Sequence, residues 1–415
     1  MIILTNEEKA IVNAIKQLSD EAGTHSPSIF TIAEELPQLE IKVDACFLSN
    51  PYATDLVLDN FTKELIHTNK FRKVIEFYPS QNQVIANVLS NHLNVPAKNI
   101  FIGNGAIEII QAVLHTFTTR KIIVNIPTFS PYYEFVKSGV EVVFDELNQD
   151  DNLRINIEKY IQLVEKEKPD TIVLINPNNP SGGYINLADI KYLVNKLWWV
   201  ENIIIDESFI HFAHEDEAYA IKSATTMTKE FKNLIIVKSM TKDFGIAGIR
   251  AGYAVMDKEK VDYLLRYGHL WNVSGLAEYF FRLYVQDEFQ KKYEKVRIRY
   301  IQEAKHLFFE LAAIAGLKVY PSMANFFLVE LTNGATSSDF VSKLLIKYGV
   351  YIRDCSDKIG LDGEFVRIAS RTQAENEIIV SSVKDVLQNE IIVSSVKDVL
   401  QNENIRENLR MHYAA

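Results

Sequence analysis

The sequence predicts an α/β fold, in which a mostly parallel sheet carries helices on both faces, together with a smaller α+β domain. From about residue 99, short runs rich in Ile and Val alternate with helical stretches, which is typical of parallel sheets. Most of these runs are continuously apolar, as in strands that are buried on both faces. After residue 285 the pattern changes to a long helical stretch and a mixed segment, which indicates the smaller domain.

The predicted elements follow in order along the chain. Residues 5–22 predict an amphipathic helix with Glu7 and Glu8 in its first turn, where the helix dipole favours carboxylates. A short helix is expected near residues 30–36. The strands of the large sheet are predicted at 99–102, 121–125, 141–145, 171–175, 202–206, 234–238 and 251–255. The helices between them are predicted at 106–118, 132–138, 155–167 and 187–197. The smaller domain is predicted to contain a helix within 286–314 and strands near 325–330 and 365–369.

The chain is expected to divide into four parts. These are an N-terminal helix and arm (1–45), a small α+β domain (46–70 and 286–390), a large domain (71–285), and a surplus C-terminal repeat and tail (391–415).

The C-terminal part contains a duplication, because residues 376–388 recur without change at 389–401. We expect the first copy to be a helix that buries Ile379, Val383 and Leu387, together with Val386. Thirteen helical residues advance about 220° beyond whole turns, so the apolar stripe of the second copy would point away from that of the first. We therefore expect the second copy to be exposed, kinked away or poorly packed, and to have no functional meaning.

Composition excludes several classes of function. The chain of 415 residues has a net charge of −10, which argues against nucleic acid or an anionic membrane as a partner. Cys46 and Cys355, its two cysteines, provide neither a disulfide framework nor a thiolate metal site, and no metal is expected. No stretch approaches the ~18 apolar residues of a membrane span, and the N-terminus is unlike a signal peptide. A cytoplasmic location is therefore expected.

Lys242 is the first candidate for chemistry. It lies in the run SMTKDFGIAGIR, residues 239–250. An amine that forms a Schiff base must be held near other polar or cationic groups. The hydroxyls of Ser239 and Thr241, with the guanidinium of Arg250, would hold a phosphate dianion nearby. A trapped aldehyde and an anchored phosphate indicate pyridoxal 5′-phosphate (PLP), whereas the alternative is a surface lysine in a glycine-rich loop.

Polar residues also follow two of the predicted strands. Asp206 ends the run at 202–206, and α/β folds place ligands at such strand ends. A buried carboxylate there needs a cationic partner, for which a protonated pyridine nitrogen would serve; the alternative is a helix N-cap. Asn179 lies in the turn NPNNPSGG after the strand at 171–175. Its amide would reach a phenolate oxygen, unless the segment is a plain turn.

Two further strand ends supply weaker candidates. Gly105 and Ala106 begin a helix after the strand at 99–102, and bare N–H groups at a helix N-terminus bind phosphate. Phe129 follows the strand at 121–125 and would stack on a ring, although an aromatic residue there is more often part of the core.

Taken together, these motifs resemble those of fold-type I PLP-dependent enzymes of the class I/II aminotransferase group. The chain is similar in particular to histidinol-phosphate aminotransferases and threonine-phosphate decarboxylases, over roughly residues 45–390. The resemblance implies PLP as the cofactor of the large domain and an obligate homodimer with shared active sites. It implies that Lys242 forms the Schiff base and shuttles the proton. Asp206 would pair with the pyridine nitrogen, Asn179 with the ring hydroxyl, and Phe129 would stack on the ring.

The resemblance also implies how the cofactor phosphate is held. Ser239, Arg250 and the amides of Gly105 and Ala106 would bind it. Tyr52, in the segment SNPY, would reach the phosphate from the neighbouring subunit.

Three residues would bind substrate if the resemblance holds. Arg367, in FVRIAS, would grip the α-carboxylate, a task that suits a bidentate fork. Arg353 would read a side-chain phosphate, unless it only pairs with Asp354 or Asp357. His25 begins the segment HSPS, in the place of an arm that contacts the substrate phosphate in the decarboxylase group, but the glycines of that arm are missing.

Three functions compete. The leading expectation is an aminotransferase that moves an amino group between an amino acid, or a phosphorylated amino compound, and a 2-oxo acid acceptor. The alternative is a decarboxylase of a phosphorylated amino acid. Phe209 favours the alternative, since many aminotransferases carry a tyrosine there, and so does the segment that begins at His25. The breadth of the family favours transamination. A regulator that senses PLP beneath a DNA-binding head is disfavoured, because the first 45 residues are too short and too acidic for such a head.

Overall fold

The computed structural model describes residues 4–21, 23, 26–269 and 271–401, with backbone alone over 389–401. Its α-helices are α1 (Asn6–Glu21), α2 (Ile29–Glu35), α3 (Pro51–Phe61), α4 (Phe71–Glu76), α5 (Asn82–Leu93), α6 (Gly105–Phe117), α7 (Pro131–Glu134), α8 (Ile157–Glu167), α9 (Leu187–Lys196), α10 (Lys258–Arg266), α11 (Gly275–Tyr284), α12 (Asp287–Ala312), α13 (Ser337–Tyr348) and α14 (Gln373–Gln401). Its β-strands are β1 (Val43–Asp44), β2 (Ile100–Asn104), β3 (Lys121–Ile126), β4 (Glu141–Glu146), β5 (Thr171–Ile175), β6 (Asn202–Asp206), β7 (Leu234–Ser239), β8 (Ala251–Val255), β9 (Leu317–Val319), β10 (Phe326–Leu331), β11 (Val350–Tyr351), β12 (Arg353–Asp354) and β13 (Phe365–Ala369).

The large sheet has the strand order β2-β8-β7-β6-β5-β3-β4. Strands β3 to β7 pair in parallel, whereas β8 runs antiparallel to both of its neighbours. Along β5, Ile172 and Leu174 pack in a core with α5, α8, α9 and α11, whereas Val173 and Ile175 pack with α6 and α10. The sheet is therefore covered by helices on both faces, which confirms the predicted fold class.

The predicted length of one helix, between β3 and β4, is wrong. Residues 132–138 were expected to be helical, but α7 ends at Glu134. Gly139 follows with φ +91°, and the chain turns there to enter β4. The turn between α7 and β4 leaves no room for a longer helix.

A second, smaller sheet has the order β12-β13-β10-β9 and is antiparallel throughout. Side chains of α12, α13 and α14 cover it, including Leu307, Leu344 and Val383. Ala53 and Val57 of α3 pack in the core of the large sheet instead. The domain boundaries expected from the sequence stay a prediction.

The C-terminal helix α14 extends through both copies of the repeat. In the first copy Ile379, Val383, Val386 and Leu387 are buried, as predicted. The side chains of the second copy lie outside the described residues, so its predicted lack of packing stays a prediction. Within the described part of the chain, no helix has the length and apolar character that crossing a membrane requires.

Candidate active site

The candidate site lies where the carboxyl ends of neighbouring strands meet. Asp206 is the last residue of β6, and it aligns with Ile175 of β5 and Val237 of β7. Parallel strands bring their carboxyl ends to one edge of the sheet, which is where such folds bind ligands. The turns that follow these strands open onto a cavity of about 260 Å³.

Most of the side chains predicted from the sequence line this cavity. They are Ala106, Phe129, Asn179, Asp206, Ser239, Lys242, Arg250, Arg353 and Arg367. Gly105 does not line it but contacts the guanidinium of Arg250. Tyr52 lies outside it, and His25 falls outside the described residues. The structure therefore brings together residues that are far apart in the sequence.

Lys242 reaches the cavity from the turn after β7. Burial, together with the positive charges of Arg367 and Arg250, lowers the pKa of its amine to about 8. An amine must lose its proton before it attacks a carbonyl carbon. Lys242 can therefore exist as the neutral nucleophile within about one pH unit of neutrality, which an ordinary lysine cannot.

Asp206 is almost completely buried at the edge of the same cavity. Its carboxylate accepts hydrogen bonds from the hydroxyl of Tyr132 (2.8 Å) and from the backbone N–H of Ser208 (2.8 Å). Burial raises the pKa of Asp206, while these hydrogen bonds act in the opposite direction. Both donors are neutral, so a cation in the cavity would stabilise the carboxylate.

A cradle for an anion forms beside Lys242. Ser239 and Thr241 bring their hydroxyl oxygens within 2.8 Å of each other, and Arg250 lines the same end of the cavity as Ala106, at the start of α6. Helix α6 can approach this closely because β8 has Gly252 beside it. A Cβ there would lie 2.9 Å from the backbone nitrogen of Ala106. Hydroxyls, a guanidinium and a helix N-terminus together suit a phosphate group.

Two arginines line the cavity from adjacent strands of the small sheet. Arg353 of β12 lies directly opposite Arg367 of β13. Like charges in this arrangement are destabilising, so anionic groups must compensate them. Arg367 donates to the side-chain oxygen of Asn179 (2.7 Å) and to the backbone carbonyl of Cys46 (2.9 Å), which fixes its orientation. Arg353 donates to Asp357 (2.7 Å).

Tyr52 points toward α12 of its own chain. Its hydroxyl donates to Glu303 (2.6 Å), and the guanidinium of Arg299 lies 4.2 Å from the centre of its ring. Any contact between Tyr52 and a cofactor phosphate would therefore have to be made in the cavity of another subunit.

Several residues in the cavity or in contact with its lining were not predicted from the sequence. Tyr132 orients Asp206, and Lys358 lines the cavity beside Arg353, as do Ser26 and Cys46. Tyr132 lies three residues after Phe129 in the same motif, which was the available signal. Lys358 had no such signal, because a lysine in a polar loop is ordinary.

These residues fit PLP. The buried carboxylate of Asp206 suits a pyridinium nitrogen, the cradle suits a phosphate, and the pKa of Lys242 suits a Schiff-base lysine. Fold and site are thus typical of a fold-type I PLP-dependent enzyme. The chain belongs to the family of class I and II aminotransferases, whose model matches residues 48–383. Members of this family are PLP-dependent, so the predicted cofactor is confirmed at the level of the family.

The chain has relatives of high sequence identity that are decarboxylases. The chain is 57% identical to an L-serine phosphate decarboxylase of Campylobacter jejuni, over 93% of this chain and 99% of that protein. It is 50% identical to an L-serine phosphate decarboxylase of Sulfurospirillum multivorans, over 90% and 95%. The solved structure of a decarboxylase from Sulfurospirillum multivorans superimposes with a TM-score of 0.88 at 49% identity, over 92% of this chain and 97% of that one.

The expectation of an aminotransferase is therefore wrong. Histidinol-phosphate aminotransferases match at 28–31% identity, well below these decarboxylases. The error has a physical cause: both reactions use the same cofactor contacts, so residues such as Lys242 and Asp206 do not separate them. The prediction of a 2-oxo acid acceptor is withdrawn together with the predicted transaminase activity, because only transamination needs such an acceptor. Phe209, the residue that favoured the decarboxylase alternative, is buried and lines the cavity.

Proposed function

We propose that this protein is a PLP-dependent decarboxylase of a phosphorylated amino acid, with L-serine phosphate as the substrate. The observation that carries the proposal is the pair of opposed arginines, Arg353 and Arg367, in the cavity of Lys242. A substrate with two anionic groups, an α-carboxylate and a side-chain phosphate, matches two guanidinium groups. The identity of 57% to an L-serine phosphate decarboxylase supports the same substrate.

PLP would be held by the residues that face each of its polar groups. Asp206 would pair with the ring nitrogen, Asn179 would face the ring hydroxyl, and Phe129 would cover the ring. Ser239, Arg250 and the start of α6 would bind the phosphate. When bound, PLP supplies an aldehyde that condenses with amines and a ring that accepts the electron pair released at the α-carbon.

The protein determines which bond of the α-carbon breaks. Arg367 would bind the α-carboxylate, and its bonds to Asn179 and Cys46 prevent it from following a moving ligand. Arg353 would bind the phosphate at the other end of the substrate. Two fixed points leave one orientation of the α-carbon, and positioning of this kind lowers the barrier for one reaction over another. We propose that this orientation favours loss of carbon dioxide.

Lys242 would complete the reaction by moving a proton. Decarboxylation breaks the bond between the α-carbon and the carboxylate, and the carbon then needs one proton. With a pKa of about 8, the Lys242 amine is mostly protonated at neutral pH and can donate that proton. Carbon dioxide leaves and O-phosphoethanolamine remains, so no amino acceptor is consumed.

The test is to incubate the PLP-loaded enzyme with O-phospho-L-serine in the absence of any 2-oxo acid. We expect stoichiometric carbon dioxide and O-phosphoethanolamine, measured from carboxyl-labelled substrate and by phosphorus NMR. Lys242→Ala should release neither product. L-Serine without the phosphate should react far more slowly, because Arg353 has no anion to bind. Amino transfer from histidinol phosphate to 2-oxoglutarate, without carbon dioxide release from phosphoserine, would contradict the proposal.

We also propose that the enzyme is a homodimer with shared sites. Phe77, Tyr78 and Trp271 are 63%, 81% and 45% exposed, and the rings of Tyr78 and Trp271 stack at 5.0 Å. Contiguous exposed aromatic side chains are typical of an interface. The patch adjoins the anion cradle, because Asn272 donates to Glu108 in the first turn of α6 (2.8 Å). A partner that covers it would come close to the cofactor phosphate.

A further inference from the structure

Lys358 is a cavity residue that the proposed mechanism has not used. It lies in the loop between β12 and β13, yet only 11% of its side chain is exposed, and it lines the cavity together with Arg353 and Arg367. A lysine in a loop normally extends into water, where its ammonium is well hydrated. The ammonium of Lys358 is therefore placed where an anion bound in the cavity could reach it.

The loop holds Lys358 in place. The backbone N–H of Lys358 donates to the carbonyl of Cys355 (3.0 Å). Two residues later, Gly360 packs against the end of β3, where a Cβ would lie 3.0 Å from the backbone carbon of Ile126. The ammonium is thus presented from a fixed backbone.

Arg353 and Lys358 share one carboxylate. Both contact the same oxygen of Asp357, Oδ2, at 2.7 Å and 3.2 Å. The two cations therefore lie on either side of one carboxylate oxygen, so an anion that took the place of Asp357 would contact both. Asp357 is 29% exposed on its side chain, so water can solvate it if a stronger anion takes its place.

We infer that Arg353, Asp357 and Lys358 form a charge-selective clamp, which admits a doubly charged side-chain group and discriminates against a singly charged one. A dianion interacts with both cations strongly enough to displace the carboxylate of Asp357. A monoanion carries the same charge as the Asp357 carboxylate that it would displace, so the exchange gains little interaction energy. The clamp rests on the proposed function, since it assigns the side-chain phosphate to this end of the cavity. It makes Lys358 a specificity-determining residue and Asp357 the group that the phosphate replaces.

The test uses two ligands that differ in charge but hardly in shape. L-2-Amino-3-phosphonopropionate and L-cysteate share a carbon skeleton, and at about pH 8 the phosphonate carries two negative charges whereas the sulfonate carries one. Dissociation constants for the PLP-loaded enzyme are measured by calorimetry and by the absorbance of the bound cofactor. We expect the wild-type enzyme to bind the phosphonate more tightly by about tenfold or more.

Lys358→Met should lower this preference by about tenfold, mainly through weaker binding of the phosphonate. Lys358→Arg should restore it, because the charge returns. Asp357→Asn should also lower the preference, but through tighter binding of L-cysteate, because L-cysteate no longer competes with a carboxylate. Lys318→Met is the matched control: Lys318 also faces a carboxylate, that of Glu330 at 3.4 Å, but it does not line the cavity. It should leave both dissociation constants unchanged.

The outcomes separate the clamp from the proposed function. If Lys358→Met folds, binds PLP and keeps the wild-type preference, the clamp is wrong even when phosphoserine is decarboxylated. The same conclusion follows if both ligands weaken equally. If the preference changes as expected but no carbon dioxide is released from phosphoserine, the clamp stands and the proposed activity is wrong.

Discussion

At the residue scale, the anion cradle depends on the absence of one methyl group. Gly105 begins α6 with φ +76°, and a Cβ there would lie 2.5 Å from Nη2 of Arg250. Gly105→Ala should displace Arg250 and strain the backbone, at a cost of about 1–2 kcal/mol in folding. We expect the dissociation constant of PLP to rise by about tenfold, measured by titration of the apoenzyme.

Gly248→Ala is the control for this variant. Gly248 lies two residues from Arg250, but a Cβ there has nothing within 4 Å and its φ is ordinary. It should bind PLP as the wild type does. Equal loss of PLP binding in the two variants would show that the contact between residue 105 and Arg250 is not the cause.

The same scale shows why the sequence revealed only part of the site. The positions of Lys242, Asp206 and Asn179 at the cavity were predictable, because each lies at or shortly after the end of an apolar strand. Tyr132 and Lys358 were not, since their contacts depend on how the chain folds back. The position of Lys358 in the cavity depends on the pairing of β12 with β13 and on the packing of Gly360 against β3.

At the scale of elements, a buried lysine joins the two strand ends that carry the chemistry. Lys238 of β7 is 1% exposed, donates to the carbonyl of Glu207 (3.0 Å) and forms an ion pair with Asp243. Glu207 follows Asp206, and Asp243 follows Lys242. Lys238 therefore holds the turn after β6 against the turn after β7. The position of Asp206 relative to Lys242 therefore depends on Lys238.

Lys238→Met should destabilise the protein by about 3–5 kcal/mol, because it leaves the charge of Asp243 buried and uncompensated. Burial already raises the pKa of Asp243 to about 6, against the attraction of Lys238. Without the lysine this pKa rises further, and the folded state then binds a proton that the unfolded state releases. Stability of the variant should therefore fall between about pH 5 and pH 8. Urea unfolding at equal protein concentration, compared with the wild type at both pH values, measures this.

The double variant Lys238→Met/Asp243→Leu is the control for the mechanism. It removes both charges, so it should be more stable than Lys238→Met alone, and the fall in stability with pH that Asp243 causes should be absent from it. A double variant as unstable as the sum of the single changes would mean that the two residues act independently.

Helices and strands were predicted well where a single sequence pattern determines the element. Each strand of the large sheet begins and ends within two residues of its predicted position, because buried parallel strands are continuously apolar. The helix expected at 132–138 failed because its length is set by the entry of the chain into β4, which no local pattern encodes.

At the scale of the whole molecule, the reaction was harder to predict than the cofactor. The family motifs predict the cofactor, whereas in the proposed function the choice between transamination and decarboxylation depends on how Arg367 and Arg353 orient the substrate. Their pairing across β12 and β13 is a tertiary feature. Identity to decarboxylases over more than nine tenths of the chain supplied what the motifs did not.

The proposed homodimer gives the last prediction. Tyr52 contacts Glu303 in its own chain and does not line its own cavity, whereas Lys242 does. If the site is shared, a Lys242→Ala chain still supplies Tyr52 to its partner, and a Tyr52→Ala chain still supplies Lys242. A heterodimer of these two inactive chains contains one complete site. Random mixing should therefore restore about a quarter of the wild-type activity, since half of the dimers are hybrids with one working site in two. Activity that does not exceed the sum of the parents, in hybrids purified through two different tags, would mean that each chain builds its site alone.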